Sequence, residues 1–286
     1  MAEPIVETGV VRVPPGVKMG NCKGIGTTGF VALLSPTVLK FPHGDGQETI
    51  NCDKERDVYE TFQGKSAPSS ILEYRGATTL HGILLEYAEL GNVRQYLQTH
   101  SPCLAVRLRW AQQAAEALVF THSLGIFHND INNSNFFLTK QLDLKVGDFG
   151  SASLDGRGSS LHSTTHQLPD VDIGTRHTDI FAFGSSLFEL MTGNVPYQEM
   201  RHDHCGVEDL FRRKIFPDLG NVKALKEVIL GCWTQKFDSM EGVLEDIRKD
   251  RHANDSSTDS APISTLALLF STILLGHVAH NVFRSR

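Results

Sequence analysis

Paired cysteines, surplus positive charge and internal repeats are all missing from this sequence. Its five cysteines (22, 52, 103, 205 and 232) are scattered, odd in number and never spaced as CxxC. That excludes a disulfide framework and reads as free thiols in a reducing compartment, on the cytoplasmic side. Lys and Arg number 27 against 33 Asp and Glu, for a net charge of -6. No basic stripe can be drawn from that balance, so nucleic acid is not expected as a partner. The opening MAEPIVETGVVRVPPG has neither a basic flank nor a long apolar run, so no signal peptide is read there. Tryptophan occurs only as Trp110 and Trp233, both expected to pack in the core.

One long stretch without charge does occur. Residues 263–283, ISTLALLFSTILLGHVAHNVF, carry no Lys, Arg, Asp or Glu. Their length suits one membrane span, although His277, His280 and Asn281 are costly in lipid. A membrane anchor and an amphipathic or frayed tail both remain open. The chain therefore divides into an extension (1–16), a two-lobed domain (17–250), a polar linker (251–262) and this apolar segment.

Within the domain, 17–87 read mostly as sheet. VKMGNC, FVALL and TVLKF are strands, residues 51–62 a helix capped by Asn51 or Asp53, and ILEYRG and TLHGILLEY further strands. From 88 the pattern turns helical. Helices are expected at 92–100, 104–122, 178–192, 207–214, 222–233 and 239–249, with two short strands, FFL and LKV, between 135 and 146. TDIFAFGSSLFELMT is apolar around its whole circumference and should be a buried helix. His202-Asp203-His204-Cys205 has metal-ligand residue types but no second set at matching spacing, and is read as a loop.

Several short motifs carry chemistry. Gly24-x-Gly26-x-x-Gly29 lies between two strands, which disfavours a dinucleotide site. Glycines there let backbone N–H groups approach phosphate oxygens. Lys40 sits in an apolar strand, where a cation is costly unless paired, and Glu55 on the next helix is a partner. Asp130, Asn135 and the Asp148-Phe149-Gly150 turn follow. One tight hairpin separates Asn135 from Asp148, so both can converge on one Mg²⁺, which takes hard oxygen ligands. Taken singly, each motif has an ordinary alternative: a glycine turn, an edge-strand lysine, an Asp-Gly turn.

In this order the motifs resemble those of a eukaryotic-type protein kinase domain, from about Val17 to Ile247. GTTGFVALL, LLEYAELGNVRQYL, TDIFAFGSSLFELMTGNVPY and GCWTQKFDS are most similar to small single-domain kinase-like proteins of filamentous fungi. The resemblance implies an α+β fold of two lobes, a small antiparallel sheet with one helix and a larger helical lobe. It implies ATP and Mg²⁺ as cofactors and protein Ser/Thr hydroxyls as acceptors. Gly24, Gly26, Gly29 and Val31 then cover the phosphates. Lys40 contacts the α- and β-phosphates and pairs with Glu55. Leu85 is the gatekeeper, and Glu86 to Ala88 form the hinge that holds adenine. Asp130 accepts the substrate proton, and Asn135 and Asp148 ligate Mg²⁺. Tyr59, His128 and Phe149 stack between the lobes, and Asp179 braces the catalytic loop.

The departures are as informative. Asn129 stands where many kinases carry an Arg that grips a phosphorylated activation loop. Activity is therefore expected not to depend on phosphorylation of Ser159, Ser160, Ser163, Thr164 or Thr165. Asn132 stands where a Lys near the γ-phosphate is usual. Losing one charged hydrogen bond costs about 1.5–3 kcal/mol, roughly 10–100-fold in rate, which slows an enzyme without abolishing it. Leu168-Pro169-Asp170 replaces Ala-Pro-Glu, and Lys236 is the nearest cation for Asp170. A pseudokinase scaffold and a small-molecule phosphotransferase remain the alternatives.

Overall fold

The computed structural model describes residues 14, 17, 20, 22–26, 29–42, 44, 46–78, 81–154, 165–171, 174–200 and 202–259. The apolar segment 263–283 lies outside them, as do Ser159, Ser160, Ser163 and Thr164. Among the described residues, no helix is long and apolar enough to cross a membrane.

The first elements among the described residues form an antiparallel sheet. Its strands are β1 (Cys22–Gly26), β2 (Gly29–Leu34), β3 (Thr37–Phe41), β4 (Tyr74–Ala77) and β5 (Ile83–Glu86), in spatial order β1-β2-β3-β5-β4. Helix α1 (Gln47–Phe62) packs beside it. The first strand lies later than VKMGNC. The glycine motif itself pairs, with Gly24 opposite Val31 and Gly26 opposite Gly29, so β1 and β2 form a tight hairpin. At Gly29 the φ of 142° and an adjacent Phe41 carbonyl, 2.4 Å from where a Cβ would sit, leave room for glycine alone. Helix α1 also starts one turn before the expected cap. Asn51 is buried inside it and accepts from the Gln47 side-chain amide at 2.9 Å, and the capping position is Gly46.

The second lobe is built from α2 (Val93–Thr99), α3 (Leu104–Ser123), α4 (Arg176–Thr192), α5 (His204–Arg212), α6 (Lys226–Trp233) and α7 (Met240–Asp259). Small ladders sit under the sheet: β6 (Ile126–Phe127) with β9 (Ser153–Leu154), and β7 (Phe136–Leu138) with β8 (Leu144–Val146). The expected α+β, two-lobed architecture is the one observed. Helix α4 is buried from Thr178 to Leu190 and packs against α3 and α6. Thr175 caps it in a reciprocal bond with Thr178, and Gly193 ends it in the left-handed region. Gly184 lets α4 approach α6, where a Cβ would lie 2.6 Å from the Cys232 Cβ. Trp110 and Trp233 are both buried, and their indole N–H groups donate to the Leu142 carbonyl and the Ser185 hydroxyl.

Two expectations on this lobe change. Residues 251–259 continue α7 as helix, because α7 lies along α3 and Arg251 donates to the Gln112 side chain at 2.8 Å. His202-Asp203-His204-Cys205 runs into the start of α5, with Asp203 capping the Gly206 N–H at 3.0 Å. Among the described residues, no cluster of His, Cys, Asp and Glu is able to hold a metal ion by itself.

Candidate active site

On strand β3, Leu39, Lys40 and Phe41 are all nearly covered, and α1 flanks the sheet there. Lys40 is 6% exposed. A lone ammonium there would be prohibitive, and two carboxylates meet it. Glu55 from α1 and Asp148, just after β8, each lie 2.6 Å from Nζ. Burial alone would lower the Lys40 pKa, but Asp148 and Glu55 outweigh it and hold the pKa above its ordinary value. For Asp148, burial pushes upward and Lys40 pulls harder, so its carboxyl stays below the usual range. Burial keeps the Glu55 carboxyl above its ordinary value despite Lys40. The Phe149 N–H donates to Glu55 at 3.3 Å, so α1 and the segment after β8 are fastened together.

The catalytic-loop candidates are set from below. Asp179, in the first turn of α4, has no exposed surface and accepts from the backbone N–H groups of His128 and Asn129 at 2.7 and 3.0 Å. It is also 2.9 Å from His122 Nε2. This permits Asn129 its left-handed φ of 61°. The Asn129 amide donates to the Ser151 carbonyl at 3.2 Å, and Gly174 presses against it with no space for a Cβ.

Next in the loop, the Asp130 carboxylate accepts from Asn132 Nδ2 at 3.0 Å and from Asn135 Nδ2 at 2.9 Å. Burial pushes the Asp130 pKa up to about 6, against the opposing pull of His128 and the two amides. The β7–β8 register, Phe136 opposite Val146, puts Asn135 across from Gly147. Their backbones bond at 3.1 Å, which seats Asn135 one residue from Asp148. Asn135 spends its amide N–H on Asp130 and keeps its oxygen as a hard donor. Asp148, at φ 61°, is turned off the strand direction toward Lys40.

Between the lobes, the Phe149 ring lies 5.3 Å from Tyr59, edge to face, and 4.9 Å from His128, tilted, so the three pack in a continuous column. A cleft of about 280 Å³ opens beside it. Of the residues expected at the nucleotide, Gly29, Val31, Lys40, Glu86 and Ala88 line this cleft, with Glu55, Leu85 and Asp148. Gly24 and Gly26 lie on β1, the edge strand next to β2. Asp130, Asn132 and Asn135 are not among the lining residues of this cleft; Asn135 is bonded through its backbone to Gly147, the residue before Asp148.

Other contacts had no sequence signal, because their partners are far apart in the chain. Arg94 makes a two-pronged ion pair with Glu189, at 2.6 and 2.8 Å, and donates to Ser134 at 2.9 Å. That ties α2, the loop that carries Ser134 and α4 together. Asp170 pairs with Arg212 of α5 at 2.9 Å and not with Lys236, which lies over the Phe237 ring. Arg212 lies within the helix expected at 207–214, and its reach to Asp170 is a contact between elements that residue order does not show.

A family model described as protein tyrosine and serine/threonine kinase matches residues 61–241. The chain belongs to this kinase family. It is similar to the serine/threonine-protein kinase A-Raf of Homo sapiens, 29% identical over 254 residues that cover 77% of this chain and 41% of the relative. It is also similar to the serine/threonine/tyrosine-protein kinase HT1 of Arabidopsis thaliana, 27% identical over 180 residues, 57% of this chain and 46% of the relative. The chain thus spans less than half the length of these relatives. The matched stretch 61–241 begins after the glycine motif, Lys40 and Glu55, so those positions are described by their geometry.

Proposed function

We propose that the chain is an ATP-dependent protein kinase that phosphorylates Ser or Thr hydroxyls and lacks the Arg that usually precedes the catalytic Asp. The observation that carries this reading is the Lys40 ammonium, bonded to Glu55 and Asp148 across the two lobes in the wall of a cleft that Glu86 and Ala88 also line. The Ser/Thr choice is supported by the names of the relatives. Within the family, the segments quoted above support kinship with the small fungal kinase-like proteins.

The donor set fits a hard divalent cation: a carboxylate at Asp148 and an amide oxygen at Asn135. Mg²⁺ bound there supplies charge neutralisation at the phosphate oxygens. The protein's own groups do the rest. Lys40 binds the α- and β-phosphates. Glu86 and Ala88 hold the base by backbone groups. Asp130 accepts the proton of the substrate hydroxyl as its oxygen bonds to the γ-phosphorus and the bond to the ADP oxygen breaks. Asn129, a neutral amide, holds the Ser151 carbonyl without needing a phosphate to neutralise.

The test is transfer of labelled phosphate from ATP with Mg²⁺, comparing wild type with Asp148→Ala and Lys40→Met. Each variant should lose at least about 100-fold in rate, because each removes a charge from the phosphate site. Equal signals from all three would identify a scaffold without catalysis. Transfer to sugars or antibiotics but never to protein would identify a small-molecule phosphotransferase.

A further inference from the structure

The Asn132 side chain is committed at every polar atom. Its Nδ2 donates to the Asp130 carboxylate at 3.0 Å and to the Asp130 carbonyl at 3.1 Å. Its Oδ1 accepts from the Ser134 N–H at 2.9 Å, closing an Asx turn. Asn135 repeats the grip from the other side, donating to the second carboxylate oxygen at 2.9 Å and to the same carbonyl at 2.7 Å. Each oxygen of Asp130 therefore receives one amide N–H. A carboxylate offers about four acceptor positions, so each oxygen keeps one for an incoming hydroxyl.

Both N–H groups of Asn132 are spent, and the oxygen that remains is an acceptor, which a phosphate repels. We infer that Asn132 is a positioning residue for Asp130: with Asn135 it forms a two-sided amide clamp that fixes the plane of the carboxylate, and it does not contact the transferred phosphoryl group. This rests on the kinase reading above. It also explains why an amide serves where a cation is usual. A neutral donor orients the carboxylate without cancelling its charge, whereas an ammonium at the same place would compete for it as an ion pair. Correct aim matters because proton transfer by a positioned base contributes about 10²–10⁴-fold to rate, and a carboxylate free to rotate forfeits part of that.

The experiment uses the full chain with dephosphorylated casein as acceptor and a fluorescent ATP analogue as the nucleotide probe. Asn132→Ala should lower kcat about 10-fold or more while KM for ATP and analogue affinity stay within about twofold. Asn132→Asp keeps the acceptor for the Ser134 N–H but sets an oxygen against Asp130, and should lose at least as much as Asn132→Ala. Asn132→Ser, which retains a short donor, should recover part of the loss. A rise in KM and in analogue dissociation matching the fall in kcat would overturn the inference, as would wild-type activity in Asn132→Asp.

A second readout does not need turnover. In ¹⁵N-labelled protein the Asn132 side-chain amide signal, assigned by its loss in Asn132→Ala, should shift when Asp130→Ala removes its acceptor. An unshifted signal overturns the clamp whatever the activity. A shifted signal in a chain that transfers no phosphate upholds the clamp and overturns the kinase reading alone.

Discussion

At the scale of single residues, Asp130 and Tyr59 show how burial acts on polar groups with and without partners. A base works only when ionised, and burial raises the Asp130 pKa to about 6. The kcat/KM of transfer should therefore fall as pH drops through about 6 and level off above it; a flat profile down to about pH 5 would contradict the assignment of Asp130 as base. Tyr59 is the opposite case. Its ring meets Phe149 edge-on and stacks on Tyr74, but its hydroxyl is buried with no hydrogen-bond partner among the described residues. Burying an unpaired hydroxyl costs about 1–3 kcal/mol, so Tyr59→Phe should keep the stacking and raise the Tm by a few degrees in calorimetry.

At the scale of elements, α4 shows how a helix with little surface is held. Several of its buried polar residues meet partners from other elements. Ser185 receives the Trp233 indole, Ser186 receives the Asn133 amide on its carbonyl, and Glu189 receives Arg94. Its close approach to α6 depends on Gly184. Gly184→Ala would gain helix propensity of about 1 kcal/mol, but the added methyl meets the Cys232 Cβ at 2.6 Å and the Trp233 ring at 3.3 Å. Overpacking costs about 1–3 kcal/mol, so the net result in urea titration should be a loss of stability. A gain would mean that α6 slides to admit the methyl.

At the scale of the molecule, Asp179 decides whether helical lobe and catalytic loop act as one body. Its two oxygens collect three N–H donors from outside α4: the His128 and Asn129 backbones and the His122 ring. Asp179→Asn keeps the shape and turns one acceptor into a donor facing a donor. That should destabilise the protein by about 3 kcal/mol, as for other buried charges parted from their partners, and lower kcat more than it raises KM for ATP. Stability and kcat both at wild-type level would show that the loop holds itself.

Much of this could be read from residue order. The alternating sheet-rich half, the helical half, the fully apolar α4 and the spacing of Lys40, Glu55, Asp130, Asn135 and Asp148 are local or ordered signals, because periodicity and motif spacing are properties of neighbouring residues. Element ends were less legible. β1 formed within the glycine motif and α7 ran on to Asp259, since a partner strand and a supporting helix supplied what local composition did not. Contacts between residues far apart in the chain were not legible at all. Arg94 with Glu189, Asp170 with Arg212, and Asn132 turned onto Asp130 instead of outward depend on which buried charges and amides packing brings within bonding distance, and no linear pattern encodes that distance.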